Sequence, residues 1–445
     1  MTDPFAAHFA YTYGHTVMNP LALVWMLCMA VIMLYVRREY VLIPMVAAIF
    51  LTTEMQRIVV ASLNFNIMRM LTIVGWVRVL LKGEHRSLRL NRIDTLVLWL
   101  AVVSTVADTL LRGTLSAFVT RMGSSLTAVG LYFLFRVLVR EFDELIPAVV
   151  ALALLCVPIA GTMFIENHTG RNLFSAFGGV PEFTELREGR LRAQGPFTHS
   201  ILAGTFAATL IPVLLIPIVM RSRWRFASLV GICGALCMVY FSASSGPVMS
   251  LLAGLVGLGM WYLRYNMKEV RLGLVAMLLT MQAFMKAPIW ALVGRGVVVG
   301  GSTGWYRFNL LDNFIRRFGE WFLLGIKTTA YWGVGLWDVT NQYISVAMAG
   351  GLTSLILFIG TIAACFAPVG QAQRVYRGDR RNQFATWCLG ASLFSHTVAF
   401  FGIAYFDQTV VSWYLLLSFL STLNNQTKSE VIHRLSREVQ MSLSP

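Results

Sequence analysis

Two stretches of the chain, 166–199 and 291–342, are rich in arginine. The first carries Arg171, Arg187, Arg190 and Arg192, and the second carries Arg295, Arg307, Arg316, Arg317 and Lys327. Planar guanidinium groups hold phosphate and diphosphate oxygens through paired hydrogen bonds, so arginine in such numbers reads as a clamp for a diphosphate-linked lipid. The competing reading is local pairing with Glu182, Glu185, Glu188, Asp312 and Glu320, together with contact to lipid phosphates. Both readings use the same residues and differ only in what faces them.

Four short segments add polar groups beside glycines. Arg192, Gly195, His199 and Gly204 form the first, which puts a cation and an imidazole ahead of an apolar run. Ser242, Ser244, Ser245 and Gly246 form a short polar turn, and Ser302, Gly304, Tyr306 and Arg307 follow. Gly333, Gly335, Asp338, Asn341 and Tyr343 make the fourth, which leads into an apolar run containing Gly350 and Gly351. Asp338 is the candidate base or orienter of a hydroxyl. A helix that begins at Asp338 would place Asn341 and Gln342 three and four residues on, on the same face. Alternatively Asp338 caps a helix starting near Val339, since aspartate is a favoured N-cap. His199 is the second catalytic candidate; Arg192, Arg307, Arg316, Arg317, Asn341 and Tyr343 are the candidate substrate-binding residues.

The elements that position these groups follow from composition. The chain has 445 residues, 57% hydrophobic and 13% charged. Soluble domains carry roughly 25% charged residues, so this chain lacks the polar surface to cover a globule. Thirteen apolar runs, from Pro20–Val36 and Tyr40–Ala61 to Phe384–Phe401 and Thr409–Leu423, approach the roughly 20 residues that cross a bilayer as a helix. Continuous rather than alternating apolarity excludes a transmembrane β-barrel. The expected fold is an all-α polytopic transmembrane bundle of 12–13 spans with two long outer loops. Residues 1–165 form a six-span half, 166–199 the first outer loop, and 200–290 a four-span block. Residues 291–342 form the second outer loop, 343–423 the last spans, and 424–445 a cytoplasmic tail.

The net charge of +15 sits in short loops: Arg37 and Arg38, Lys82 to Arg92, Arg221 to Arg225, Arg264 to Arg271, and Arg374 to Arg381. That distribution orients helices with these loops toward the cytoplasm and does not describe a nucleic-acid groove. The second outer loop is rich in aromatic residues, and Leu310, Leu311, Phe314, Ile315, Phe318, Trp321 and Phe322 recur at helical spacing, so amphipathic helices are expected there. Asp108 and Arg121 suit either a pair across neighbouring spans or a role in lipid-phosphate entry. The six cysteines lie in apolar runs, read as small packing residues, and no metal or other cofactor is expected. The start of the chain shows no basic segment typical of a cleaved signal.

In this order, and at these places relative to the apolar runs, the four segments resemble the O-antigen ligase and O-antigen polymerase superfamily. The resemblance covers about residues 170–360. It implies a bacterial inner-membrane fold like the lipid-linked glycosyltransferases of the GT-C type, with its active face extracytoplasmic. It also implies an undecaprenyl-diphosphate-linked glycan donor, a glycan acceptor, contact with membrane lipids, and partners in polysaccharide export. Where ligases of this family have His-Asn, this chain has Thr340 and Asn341. That departure favours a polymerase over a ligase to lipid A core. A lipid-linked glycan transporter, a peptidoglycan polymerase of another class and a non-enzymatic scaffold are the competing functions.

Overall fold

The computed structural model describes residues 15–60, 63–291 and 303–443. Arg295 and Ser302 fall outside the described residues. In chain order the helices are α1 (Pro20–Tyr35), α2 (Leu42–Phe50), α3 (Ile67–Leu81), α4 (Arg92–Arg112), α5 (Leu115–Leu138) and α6 (Leu145–Thr169). There follow α7 (Ser200–Leu214), α8 (Ile216–Val219), α9 (Arg225–Phe241), α10 (Ser245–Gly259) and α11 (Met267–Phe284). The last five are α12 (Thr303–Arg316), α13 (Phe318–Trp321), α14 (Gln342–Val375), α15 (Arg380–Ala399) and α16 (Thr409–Leu443).

Among the described residues, six stretches are long and apolar enough to cross a membrane: Arg92–Arg112, Leu115–Leu138, Phe142–Thr169, Ser200–Val219, Ser245–Leu263 and Gln342–Val375. Helices α1 and α9 are apolar but shorter. The described residues are therefore mostly helical and fit an all-α, multi-pass membrane protein. Among the described residues, strands are confined to two hairpins, β1 (Arg57–Val60) with β2 (Leu63–Asn66) and β3 (Leu186–Arg187) with β4 (Arg190–Leu191).

The expected span Tyr40–Ala61 is not one helix. α2 ends at Phe50, and β1 begins at Arg57. Polar Thr52, Thr53, Glu54 and Gln56 interrupt the apolar run, and β-branched Ile58, Val59 and Val60 suit a strand better than a helix. The cysteines also divide: Cys156, Cys365 and Cys388 pack inside, while Cys28, Cys233 and Cys237 lie on helix surfaces.

The chain separates into two compact units. The first comprises Met1–Arg89, Gly130–Leu251 and Phe406–Thr422. Within it α6 packs along α9, where small residues bring the backbones together: a Cβ on Gly231 would lie 2.5 Å from the Ala153 Cβ. Close approach of this kind supplies the packing that holds apolar helices together in lipid. Phe50 and Phe206 lie 4.5 Å apart between ring centroids, with Phe197 5.3 Å from Phe206, and this aromatic group seats the start of α7.

The second unit comprises Leu90–Val129, Leu252–Tyr405 and Leu423–Pro445. Here α4 runs along α14, with the Ser104 and Ser354 hydroxyls 3.2 Å apart. The expected amphipathic segment forms α12 and α13. Leu310, Phe314 and Trp321 turn inward with Trp332, Leu336, Ile344 and Ala347, and Phe314 stacks on Trp321 at 4.1 Å. Helix α14 is broken at Gly350 and Gly351, whose backbone angles are non-helical. The segment after α12 fills the break: Leu352 N–H donates to the Phe322 carbonyl at 2.8 Å, and Ile326 N–H donates to the Met348 carbonyl at 3.0 Å.

Candidate functional site

In the first unit, Arg192 is built into a rigid turn. The Glu166 carboxylate, at the end of α6, accepts the backbone N–H of Gln194 at 3.1 Å and of Gly195 at 2.8 Å. Gly195 has a φ of +57°, which favours glycine, and its carbonyl accepts from the Asn172 amide at 2.8 Å. Arg192 is 5% exposed. One terminal nitrogen donates to Glu185 at 3.1 Å and the other to the Ser244 hydroxyl at 2.6 Å, while Nε has no hydrogen-bond partner among the described residues. Burial lowers the guanidinium's pKa and Glu185 supports its charge. Two of the segments singled out in the sequence, those around Arg192 and Ser244, thus meet. Their approach requires Gly204, because a Cβ there would lie 2.5 Å from the Ser242 hydroxyl.

His199 caps α7, its Nδ1 accepting the Ile201 N–H at 3.1 Å. In the neutral ring the proton then sits on Nε2. Burial, followed by the Arg192 charge, pushes the His199 pKa down to about 4. At neutral pH His199 is therefore an uncharged N–H donor. With Nδ1 taken by the Ile201 N–H, the ring offers a donor at Nε2.

Beside His199 lies a pair of carboxylates that sequence reading missed. The Thr198 hydroxyl donates to Asp407, in the loop before α16, and the Asn66 amide donates to Glu54. Gln408 ties the three segments together, its amide donating to the Thr52 carbonyl at 2.8 Å and the Pro196 carbonyl at 3.2 Å. Burial pushes Asp407 up to about 7. Glu54 is raised well above the usual carboxylate range, first by burial and then by the Asp407 charge; Asn66 and Arg69 act in the opposite sense. Two carboxylates that interact this closely titrate as a pair rather than as two independent groups. Asp407 also has a φ of +53°, a conformation uncommon for residues other than glycine and tolerated best by Asn and Asp.

The other predicted residues belong to the second unit. Asp338 is exposed and is not a helix cap: Asn341 caps α14, its side chain accepting the Ile344 N–H at 3.2 Å. The chain stays non-helical through Thr340 because the Tyr306 hydroxyl holds the carbonyls of Gly335, at 3.1 Å, and of Asp338. Asp338, Asn341 and Gln342 therefore do not share a helical face. Desolvation raises the Asp338 carboxyl above its usual value.

Arg307 donates to the Gly402 carbonyl at 3.3 Å, the Asn341 amide to the Phe401 carbonyl at 3.5 Å, and the Tyr343 hydroxyl to the Thr397 carbonyl at 3.0 Å. Three predicted binding residues thus converge on the C-terminal turn of α15, where a cation complements the helix dipole. Arg316 and Arg317 instead pair locally, with Asp312 at 2.7 Å and Glu320 at 3.0 Å. Asp108 pairs with Arg112 at 2.9 Å on its own helix rather than with Arg121. Comparison with protein-family models, with curated proteins and with solved structures found no match.

Proposed function

We propose that this chain is a membrane glycosyltransferase of the O-antigen or exopolysaccharide polymerase type, acting on undecaprenyl-diphosphate-linked glycan at the extracytoplasmic face of a bacterial inner membrane. One observation carries the reading. Within the first unit, a buried arginine and an imidazole N–H donor lie in the same short segment as Thr198, which is bonded to a carboxylate that titrates near neutrality. These are the parts that transfer from a diphosphate needs.

Arg192 and His199 Nε2 stabilise negative charge on the departing lipid diphosphate. Asp407 takes the proton from the acceptor hydroxyl while that oxygen attacks the anomeric carbon. The bond from the anomeric carbon to the diphosphate breaks, its electron pair leaving with the lipid diphosphate. The order of the four sequence segments supports the same reading, and the absence of a family-type imidazole at Thr340 is consistent with the base lying elsewhere.

The test is reconstitution of the purified chain in vesicles with polyprenyl-diphosphate-linked glycan. Lengthened glycan together with free lipid diphosphate is the expected product. Movement of intact glycolipid across the bilayer without release of lipid diphosphate would instead identify a transporter.

The proposed orientation has its own check. In a background with the native cysteines replaced, a cysteine at Val334, which is 98% exposed, should react with an impermeant maleimide in intact cells. A cysteine at the exposed Arg380 should react only after lysis. The reverse pattern would put the proposed active face in the cytoplasm.

A further inference from the structure

The second unit contains a chamber of about 650 Å³, within the range of small-molecule sites. Its polar wall includes Asp108, Arg112, Thr120, Arg121, Ser124 and Ser345. Its lining also includes the apolar Val339 and Met348 and Trp337, which is 72% exposed.

The polar wall has a particular chemistry. Arg112 engages Asp108 through Nε and Oδ1 at 2.9 Å. Among the described residues, neither Arg112's terminal nitrogens nor the second Asp108 oxygen has another hydrogen bond, so donors and an acceptor lie side by side. A phosphodiester oxygen only accepts, so it can take Arg112's donors but leaves the second Asp108 oxygen without one. A hydroxyl both donates and accepts, and so matches an arginine–carboxylate pair. An acyl chain would leave the charged wall unsolvated and uncompensated. A pyranose ring presents hydroxyls at its edges and C–H groups on its faces. It satisfies the polar wall and the apolar lining together, with one face against Trp337.

We propose that this chamber binds neutral sugar residues, and, on the transferase reading above, that these are sugars of the acceptor glycan. The sugar binding stands on the chamber's own chemistry; only the word acceptor rests on that reading.

Photo-crosslinking tests it on the full chain in native bacterial membranes. The photoreactive residue p-benzoylphenylalanine replaces Ser116, which lines the chamber, and in a control replaces Leu279, an exposed apolar residue on α11. After irradiation, intact-mass analysis should show adducts containing hexose, hexosamine or deoxyhexose units at position 116 and phospholipid adducts at 279. Trp337→Ala or Asp108→Ala should lower the glycan adduct at 116 by about tenfold, the equivalent of about 1.4 kcal/mol in binding. Adducts at 116 made only of lipid or phosphate, or a glycan yield unchanged by both substitutions, would overturn the proposal. The two readings fail separately. Glycan adducts in a chain that shows no transfer in vesicles keep the chamber and remove the transferase; transfer without glycan adducts removes the chamber alone.

Discussion

Asp407→Asn should lower glycan transfer by about 10²- to 10⁴-fold, the usual contribution of a positioned general base. Asparagine is the informative replacement because it tolerates the left-handed backbone at this position and can still accept the Thr198 hydrogen bond. The protein should remain folded while the proton acceptor is gone. The pH profile supplies a second readout. Burial raises the Asp407 pKa to about 7, so the carboxylate form, which is the base, is lost as pH falls through that value. Transfer by the unmodified chain should therefore fall on the acid side of pH 7, and residual transfer by Asp407→Asn should lack that limb. Asp338→Asn is the matching comparison. Its side chain is exposed and caps no helix, so it should transfer within about twofold of the unmodified chain, as surface substitutions away from special features have small effects. If the loss appears in Asp338→Asn while Asp407→Asn works normally, the base is the one the sequence first suggested.

Arg192→Lys should lower transfer by about 10- to 150-fold with protein abundance maintained, the equivalent of the 1.5–3 kcal/mol carried by a hydrogen bond to a charged group. Lysine keeps the charge but lacks the planar fork through which Arg192 reaches both Glu185 and Ser244. Arg192→Glu should abolish transfer. It also sets two carboxylates against each other at a site 5% exposed, so abundance must be measured alongside. Normal transfer by Arg192→Lys, with lipid diphosphate released at the usual rate, would remove the guanidinium from the donor site.

Helices were legible wherever apolar runs were continuous, and the spacing from Leu310 to Phe322 announced α12 and α13 correctly. Long-range pairing was not legible. Glu54 and Asp407 are 353 positions apart, and no local pattern joins them. Glu54 was also masked by lying inside a run that reads as one span, whereas the polar residues around it end α2 at Phe50. The helix start near Asp338 failed for a different reason. Aspartate and asparagine cap with similar preference, so Asp338 and Asn341 were equivalent by type. A tyrosine 32 residues earlier than Asp338 decided between them by holding the carbonyls of Gly335 and Asp338. His199 was recognised as a polar group at the head of a helix, but its tautomer, and hence its role, depended on the Ile201 N–H.

The break in α14 has a consequence for biosynthesis. Interrupted helical backbone leaves N–H and C=O groups that cost several kcal/mol each in a bilayer unless something else pairs with them. Here the partners, Phe322 and Ile326, precede Met348 and Leu352 in the chain. At about 5–20 residues per second of synthesis, the 22 positions from Ile326 to Met348 correspond to roughly 1–4 s. The earlier segment is thus made, and available as a template, before the broken helix emerges. The ribosome's own direction of travel presents the partner first, so the span need never wait unpaired in lipid for a later part of the chain.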